Sequence, residues 1–241
     1  MVECRLGNCY AEGGSEHRCE DCQARLASVC ASLSPDEFND LEALARPVNF
    51  AARDSLFTQG QEAHHLFNIT SGVVRLYKLL PDGRRQILGF GLPGDFLGLS
   101  MRDVFGFSAD AVGDVKACSF QRGAYIALVE SKPHLLRRLH DFATYELTLA
   151  QEQMMLLGRR NAEEKIVCFL LSMQQRWARV GKYSVTVELP MSRQDIADFL
   201  GLTIETVSRT LTRLAREKTI LIVPDGVRLM NADRMAALAG S

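Results

Sequence analysis

The stretch MSRQDIADFLGLTIETVSRTLTRLAREK at residues 191–218 constrains the fold more than any other part of the chain. Ser192 and Thr203 each precede an apolar pattern of helical period, and Gly201 lies between the two patterns. Serine and threonine are favoured just before a helix because the side-chain oxygen accepts a backbone N–H, whereas glycine is favoured just after one. The stretch therefore predicts two short helices joined by a tight turn, a helix-turn-helix.

The outer face of the second predicted helix is polar. The inward positions of the two helices are apolar: Ile196, Ala197, Leu200, Val207, Leu211 and Leu214. Glu205, Ser208 and Arg209 are left together on the outer face, at i, i+3 and i+4. When such a motif binds DNA, this part of the helix enters the major groove, where Arg can bond guanine and Glu can accept from cytosine. We expect these three residues to read bases; the alternative is a helical hairpin with a Glu–Arg surface pair.

Positive charge is concentrated near this helix, although the formal net charge of the chain is only −1. Basic side chains outnumber acidic ones over residues 203–218, whereas the opposite holds over residues 1–45. A local basic excess is typical of a helix that meets phosphates. Three side chains are expected to contact phosphates and to add affinity without sequence information: Thr206, Arg213 and Lys218. The run ILIVPDGVRLM at residues 220–230 predicts a β-hairpin, which would form a wing.

A long helix is predicted over residues 133–160, where no proline follows Pro133 and no glycine precedes Gly158. Two apolar stripes run along it. The first recurs every seven residues, at Leu135, Phe142, Leu149 and Leu156. The second alternates intervals of four and three, as in a coiled coil, and is expected to form a parallel dimer seam: Ala143, Leu147, Ala150, Met154 and Leu157. The alternative is that both stripes pack inside one monomer.

The region between about residues 46 and 126 has a different pattern of apolar residues and glycines. Short apolar runs are interrupted by glycines at regular spacing: Gly60, Gly72, Gly83, Gly94 and Gly106. Regularly spaced turns between short strands indicate an antiparallel β-roll. A short helix should precede the roll, because Ser34 and Pro35 form a helix-start signal before Phe38 and Leu41. The predicted fold class is α+β.

Several function classes are excluded by the sequence pattern. The N-terminus has no secretory signal and no segment is long and apolar enough to span a membrane, so we expect a cytoplasmic protein whose thiols stay reduced. The adjacent histidines, His64 and His65, have no convincing nucleophile or carboxylate partner, and no catalytic site is predicted. A non-enzymatic protein is expected.

The cysteines form an unusual cluster near the N-terminus. Cys19 and Cys22 form a C-x2-C pair, and Cys30 follows; Cys4, Cys9, Cys118 and Cys168 complete the set. In a reduced compartment such a cluster favours a metal centre, either iron–sulfur or zinc, and the spacing does not separate these two. A thiol oxidoreductase is disfavoured, because no βαβ pattern surrounds the C-x2-C pair.

Over nearly its whole length the sequence resembles the CRP/FNR superfamily of transcription regulators. The motifs SGVVRLY, PDGRRQI and GDFLG are similar to its effector roll, NAEEK at 161–165 to the end of its dimer helix, and LGLTIETVSRTLTRL to its recognition helix. The resemblance implies a cysteine-rich segment at 1–32, a sensor roll of the cyclic-nucleotide-binding type at 33–130, a dimerisation helix at 131–160 and a winged helix-turn-helix at 161–241. It also implies a homodimer that binds double-stranded DNA and contacts RNA polymerase.

The E-x-x-S-R spacing at Glu205 is similar to that of the oxygen-responsive FNR branch, which implies TTGAT-type half-sites in an inverted repeat and activation at low oxygen. That resemblance also implies an oxygen-labile [4Fe-4S] cluster with the ligands Cys19, Cys22, Cys30 and Cys118. Zinc, thiol oxidation or no cofactor remain alternatives. Cyclic nucleotide binding is not expected, since Phe107 stands before Ser108 and Ala109 where the family carries a phosphate-binding arginine.

Overall fold

The computed structural model describes residues 22–99, 103–159 and 161–240. An antiparallel β-roll, a long helix and a winged helix-turn-helix follow one another along the chain, which confirms the predicted α+β fold. Among the helices in these ranges, none combines the length and the apolar character that crossing a membrane requires.

Within the described residues, eight strands form the roll as two four-stranded antiparallel sheets. In chain order the strands are β1 (Arg46–Phe50), β2 (Ser55–Phe57), β3 (His65–Ser71), β4 (Val74–Leu79), β5 (Arg85–Gly91), β6 (Phe96–Leu97), β7 (Ser108–Ala111) and β8 (Val115–Gln121). The first sheet has the order β1-β8-β3-β6 and the second β2-β7-β4-β5.

One of the regularly spaced glycines shows why the turns need that residue. Gly72 joins β3 to β4 with a φ of 86°, in the region that side chains other than glycine rarely adopt. A Cβ atom there would lie 2.3 Å from the backbone oxygen of Asp114, so the turn leaves no room for one. The sequence signal for a turn thus corresponds to a close approach of two chain segments.

Helices cover one side of the roll. Two short 3₁₀ helices (Gln23–Ala27 and Val29–Ser32) and α1 (Pro35–Leu44) precede it, and α2 (Arg122–Glu130) follows it. Phe38 and Leu41 of α1 pack with Phe120 and Tyr125 in one apolar cluster. The 3₁₀ helices and α2 were not predicted. The 3₁₀ helices lie in a segment without a regular apolar period, and the first residues of α2 fall in the region whose glycine spacing predicts strands.

The long helix α3 (Pro133–Arg159) has 27 residues, close to the prediction. Its first apolar stripe packs inside the monomer: Leu135 and Leu156 are buried, and Phe142 and Leu149 are half-buried. A buried stripe explains how one face of so long a helix is held against the rest of the protein.

The C-terminal region contains α4 (Ala162–Arg179), β9 (Thr186–Glu188), α5 (Arg193–Leu200), α6 (Ile204–Arg216), β10 (Ile220–Val223), β11 (Gly226–Leu229) and α7 (Ala232–Gly240). The three strands form an antiparallel sheet in the order β10-β11-β9, which is the predicted wing with one added strand. Strand β9 is short, because regular pairing with β11 covers only Thr186 to Glu188. Helix α7 was not predicted.

Candidate nucleic-acid interface

The helix-turn-helix forms where the sequence predicts it. Ser192 caps α5, its side chain accepting a hydrogen bond from the Asp195 N–H. Gly201 ends α5 in the left-handed conformation with φ 62° and ψ 40°. Thr203 caps α6 by accepting from the Thr206 N–H at 3.2 Å. All six residues predicted to face inward are buried: Ile196, Ala197, Leu200, Val207, Leu211 and Leu214.

The outer face of α6 is open to solvent in its first two turns. Glu205 and Arg209 are exposed and Ser208 is half-buried. The buried residues of α6 lie on its other side, so these three side chains share one accessible face. Such a face at the start of the second helix can enter the major groove and form hydrogen bonds with base edges. Their role as base-reading residues stays a prediction.

The three predicted phosphate contacts have different surroundings. Thr206 is half-buried, and its hydroxyl oxygen lies 3.0 Å from that of Thr203. Lys218 is exposed just after α6, with a positive φ of 56°. Arg213 is also exposed, but it donates from Nη2 to Oε2 of Glu163 at 2.8 Å. If Arg213 contacts a phosphate, it must divide its N–H donors between the phosphate and the Glu163 carboxylate.

Glu163 was not singled out in the sequence. It lies in the first turn of α4, where negative charge is favourable because of the helix dipole. The capping signal of Asn161 and Glu164 is visible in the sequence, and the structure shows that capping box. The partner of Glu163 lies 50 residues away on α6, and nothing local in the sequence indicates it.

The predicted dimer seam is an exposed apolar stripe on α3. Leu147 is 57% exposed and Met154 is 64% exposed, and Leu157, Ala143 and Ala150 are also exposed. The alternative that both stripes pack inside one monomer therefore does not hold, because only the first stripe is covered. A second copy of α3 is the partner that a four-and-three spacing suits.

Three of the predicted cluster ligands lie in the described part of the chain. Cys30 lies in the second 3₁₀ helix, and its Sγ accepts a hydrogen bond from Asn68 Nδ2 at 3.7 Å. Asn68 pairs with Cys118 across β3 and β8. Cys22 directly precedes the first 3₁₀ helix, and its charge is one of the causes that raise the pKa of the Cys30 thiol. The three cysteines therefore lie at one corner of the roll, which we call the cysteine corner.

The cysteine corner does not by itself form a metal site. Within residues 22–99, 103–159 and 161–240, no three or more His, Cys, Asp or Glu side chains are grouped so that they could hold a metal ion. Burial raises the pKa of the Cys30 thiol, and the neighbouring Cys22 raises it further. Cys19, the remaining predicted ligand, lies outside the described residues, as do Cys4 and Cys9. The ligand set as a whole stays a prediction.

An aromatic side chain, Phe107, stands just before β7, where the family resemblance implies a phosphate-binding arginine. Phe107 precedes Ser108 and Ala109, which begin β7, and its ring lies 5.6 Å from that of Phe57. Ser108 is buried, and its Oγ accepts from the Gln59 N–H at 3.0 Å. The expected lack of cyclic nucleotide binding stays a prediction, and the observation behind it is the aromatic side chain before Ser108.

Comparisons with known proteins agree with this arrangement. The sequence matches the family models for bacterial regulatory proteins of the crp family over residues 189–220 and for a cyclic nucleotide-binding domain over residues 47–132. It is 52% identical over 225 residues to the transcriptional activatory protein AadR of Rhodopseudomonas palustris, covering 93% of this chain and 94% of the relative.

Two further relatives extend the comparison. The nitrogen fixation regulation protein FixK of Bradyrhizobium diazoefficiens is 48% identical, with coverage of 93% of this chain and 95% of that protein. The fumarate and nitrate reduction regulatory protein of Salmonella typhimurium is 30% identical over 100% of this chain and 97% of that protein. The solved structure of FixK2 from Bradyrhizobium japonicum is 33% identical, with a TM-score of 0.76 over 82% of this chain and 98% of that chain. With its roll, winged helix-turn-helix and this extent of identity, the chain belongs to the CRP/FNR family of DNA-binding transcription regulators and is not an enzyme.

Proposed function

We propose that the protein is a homodimeric transcription activator that reads an inverted repeat of TTGAT-type half-sites through Glu205, Ser208 and Arg209. The observation that carries this proposal is the capped helix α6, whose reading face is exposed while its opposite side is buried. In this proposal Arg209 bonds a guanine through two hydrogen bonds, and Glu205 accepts a hydrogen bond from a cytosine. Activation is supported by the names of relatives described as activators. A contact with RNA polymerase is part of the proposal and comes from the family resemblance.

Dimerisation is part of the proposal because a single helix reads only one half-site. The exposed seam on α3 provides a self-complementary surface for a two-fold symmetric pair. In helix-turn-helix dimers the two reading helices meet half-sites about 34–36 Å apart, so an inverted repeat in the DNA mirrors the symmetry of the protein.

Binding to a panel of half-site variants tests the reading face. Arg209→Ala should lose about 1–3 kcal/mol of binding free energy at one guanine position. For duplexes in which that base pair is changed, the variant and the wild-type protein should have the same affinity. The matched variant Arg213→Ala should weaken binding to all sequences alike, since a phosphate contact carries no sequence information. Equal losses across the panel for both variants would contradict the assignment of Arg209.

We further propose that the cysteine corner, together with Cys19, responds to oxygen through a [4Fe-4S] cluster held by Cys19, Cys22, Cys30 and Cys118. The support is the shared location of three thiols and the softness of thiolate donors, which suits iron–sulfur and zinc alike. When bound, such a cluster supplies sensitivity to oxygen. A ligand that binds only one state shifts the equilibrium toward that state, so a filled corner would favour the DNA-binding dimer.

Two relatives have names that refer to nitrogen fixation and to fumarate and nitrate reduction. Both are reductive processes, which supports a regulator linked to oxygen supply. The alternative keeps the same DNA-binding function, with zinc or thiol oxidation as the switch or with no cofactor. The arrangement of the described thiols alone does not favour one of these, because they do not form a metal site without further residues.

Anaerobic purification distinguishes the alternatives. We expect a coloured protein with iron and sulfide in equal amounts and an absorption band that oxygen removes; a colourless protein with zinc would support the zinc alternative. Cys22→Ser should lose the iron and weaken DNA binding under anoxia. The control is Cys168→Ala, which removes a half-buried thiol of α4 that packs against the core, and this variant should keep the iron. Unchanged anoxic DNA affinity and oligomeric state in Cys22→Ser would show that the corner does not control binding.

A further inference from the structure

The helix that leads into the reading helix is held by the roll. Asp195, in the first turn of α5, accepts two hydrogen bonds at Oδ1 from arginines of the roll. Arg75 on β4 donates from Nη1 at 2.9 Å, and Arg85 on β5 donates from Nη2 at 2.8 Å. The same Nη2 of Arg85 also reaches Asp198 at 3.3 Å. Two strands of the sensor domain thus meet one end of α5.

Asp195 is a buried carboxylate with a full set of partners. Its side chain is only 4% exposed. Its second oxygen, Oδ2, accepts from the Ser192 N–H at 3.1 Å and from the Ser192 hydroxyl at 2.8 Å. Burial raises the pKa of this carboxyl, but the hydrogen bonds from Ser192 and the charge of Arg75 outweigh it and hold the pKa below its usual range. The ionised carboxylate therefore joins the cap of α5 to the roll.

The other end of α5 is held by three different elements. Successive backbone carbonyls at its C-terminus accept side-chain hydrogen bonds: Asp198 from Gln86 of β5 at 2.8 Å, Phe199 from Gln153 of α3 at 3.1 Å, and Leu200 from Lys165 of α4 at 3.4 Å. Carbonyls in the last turn of a helix have no partner within the helix, so these donors satisfy groups that would otherwise need water. Both ends of α5 are fixed relative to the roll and the long helix.

We propose that Arg75 and Arg85 are positioning residues for DNA reading, which act through Asp195 to fix the orientation of the helix-turn-helix relative to the roll. Helices α5 and α6 share one buried core, so the orientation of α5 sets that of α6. Glu205 and Arg209 take no part in these contacts and stay exposed. The arginines therefore orient the reading face without covering it.

The proposal rests on the proposed reading of an inverted repeat by a dimer. Two reading helices can engage both half-sites together only if their separation matches that of the half-sites. A docked α5 fixes this separation in advance, so the DNA does not have to order two mobile domains, and preorganisation of this kind increases affinity. Removing the contacts of the two arginines with α5 should weaken the preference for correctly spaced half-sites. Each single half-site contact should stay intact.

The test measures the binding of the full-length protein, under anoxia, to three duplexes. These are the preferred inverted repeat, the same repeat with one base pair added between the half-sites, and a single half-site. One added base pair moves the half-sites apart by about 3.4 Å and rotates them by about one-tenth of a turn. The ratio of the affinities for the first two duplexes, which we call the spacing ratio, reports how rigidly the two α6 helices of the dimer are held.

The variants are Arg85→Gln, the double variant Arg75→Gln/Arg85→Gln, and the control Arg84→Gln. Arg84 is adjacent in sequence but exposed, and it pairs with Asp82 at 2.7 Å instead of with α5. We expect the spacing ratio to fall about threefold in Arg85→Gln and about tenfold or more in the double variant, with half-site affinity within about twofold of wild type. Arg85→Lys, which keeps the charge facing Asp195, should restore part of the ratio, and Arg84→Gln should leave it unchanged.

The possible outcomes separate the two proposals. A wild-type protein that does not prefer the paired half-sites would refute the proposed dimeric reading. A wild-type protein with that preference and a double variant with an unchanged or sharper spacing ratio would refute the positioning role. Loss of half-site binding in both variants would also refute it, because the arginines would then support the folding of the helix-turn-helix rather than its orientation.

Discussion

A single residue, Glu163, affects how α6 can contact the DNA backbone. It holds the guanidinium of Arg213, a predicted phosphate contact, at 2.8 Å. The Glu163 side chain is 18% exposed while that of Arg213 is 53% exposed, so the pair lies at the edge of the surface that DNA would meet. A carboxylate in this position competes with phosphate for the same donors, and it also adds negative charge near the DNA backbone.

We expect Glu163→Gln to increase DNA affinity about equally for all sequences. Freed from the carboxylate, Arg213 can neutralise one more phosphate, so the plot of log affinity against log salt concentration should steepen by about one unit. Binding isotherms at several salt concentrations measure this slope. Glu130→Gln, which removes an exposed charge at the end of α2, is the control and should leave the slope unchanged. A weaker, sequence-independent affinity in Glu163→Gln would mean that the carboxylate orients Arg213 toward the DNA instead.

Among the elements, α3 carries two apolar stripes that differ in burial. The first is covered by the monomer and the second is exposed. We expect Met154→Glu to dissociate the dimer, since it places a charge from each copy in a seam that would lie on the two-fold axis. Light scattering during size-exclusion chromatography under anoxia gives the mass. Met155→Glu is a matched control, because Met155 is 71% exposed but lies outside the four-and-three spacing. A monomer from Met155→Glu and a dimer from Met154→Glu would place the seam elsewhere.

Glu37 lies at the joint between α1 and the start of α3. Glu37 accepts from the Ser34 N–H at 2.9 Å, and its carboxylate also meets Lys132 at 3.4 Å and His134 at 3.0 Å. The Ser34 backbone hydrogen bond is the main cause that lowers the pKa of Glu37 from its ordinary value of 4.5 to about 2. Because the folded-state pKa is lowered, the charge contributes stability above about pH 4.5 that is lost as the pH falls toward 2.

Glu37→Gln should therefore flatten the acid side of the stability curve. We expect the wild-type protein to lose more unfolding free energy than the variant between about pH 5 and pH 3, as measured by denaturant unfolding at each pH. Glu130→Gln serves as the control here as well, and its curve should follow that of the wild type. Parallel curves for Glu37→Gln and the wild type would show that the charge of Glu37 does not stabilise this joint.

Local patterns made most of the elements predictable. The caps at Ser192 and Thr203, the turn at Gly201 and the limits of α3 depend on neighbouring residues, so they can be read from the sequence. The contacts of Glu163 and Asp195 join residues 50 or more positions apart and depend on how the domains pack. The ion pairs that orient the reading helix were therefore not predictable, although the reading face itself was.

At the scale of the whole molecule, the cysteine corner is connected to the DNA-binding domain through a short route. A Cβ atom on Gly94 would lie 2.7 Å from the Cβ of Ala27, so the first 3₁₀ helix packs tightly on the turn before β6. The next residue, Asp95, accepts from Arg176 of α4 at 2.5 Å. Both side chains of this pair are largely buried. These two contacts link the first 3₁₀ helix, next to the cysteine corner, to α4.

The roll and the DNA-binding domain also share one hydrophobic core. Phe90 of β5 is buried together with residues of α4, α5 and α6, and its ring lies 5.5 Å from that of Phe199 and 6.3 Å from that of Phe169. Two domains that share a core should unfold as one unit, because exposing one of them exposes the apolar surface of the other. We therefore expect a single cooperative transition for the wild-type protein in scanning calorimetry.

Phe90→Ala should split this transition into two. It removes an aromatic side chain from the shared core, at a cost of about 3–5 kcal/mol, and leaves the two other apolar clusters of the roll and its covering helices unchanged. Phe57→Ala is the matched control, because Phe57 is equally buried but packs only inside the roll, 4.0 Å from the ring of Phe105. It should lower the transition temperature by a similar amount without dividing the peak. If Phe90→Ala kept one peak, the ion pairs at α5 rather than the shared core would couple the two domains, and Arg75→Gln/Arg85→Gln should then be the variant that divides it.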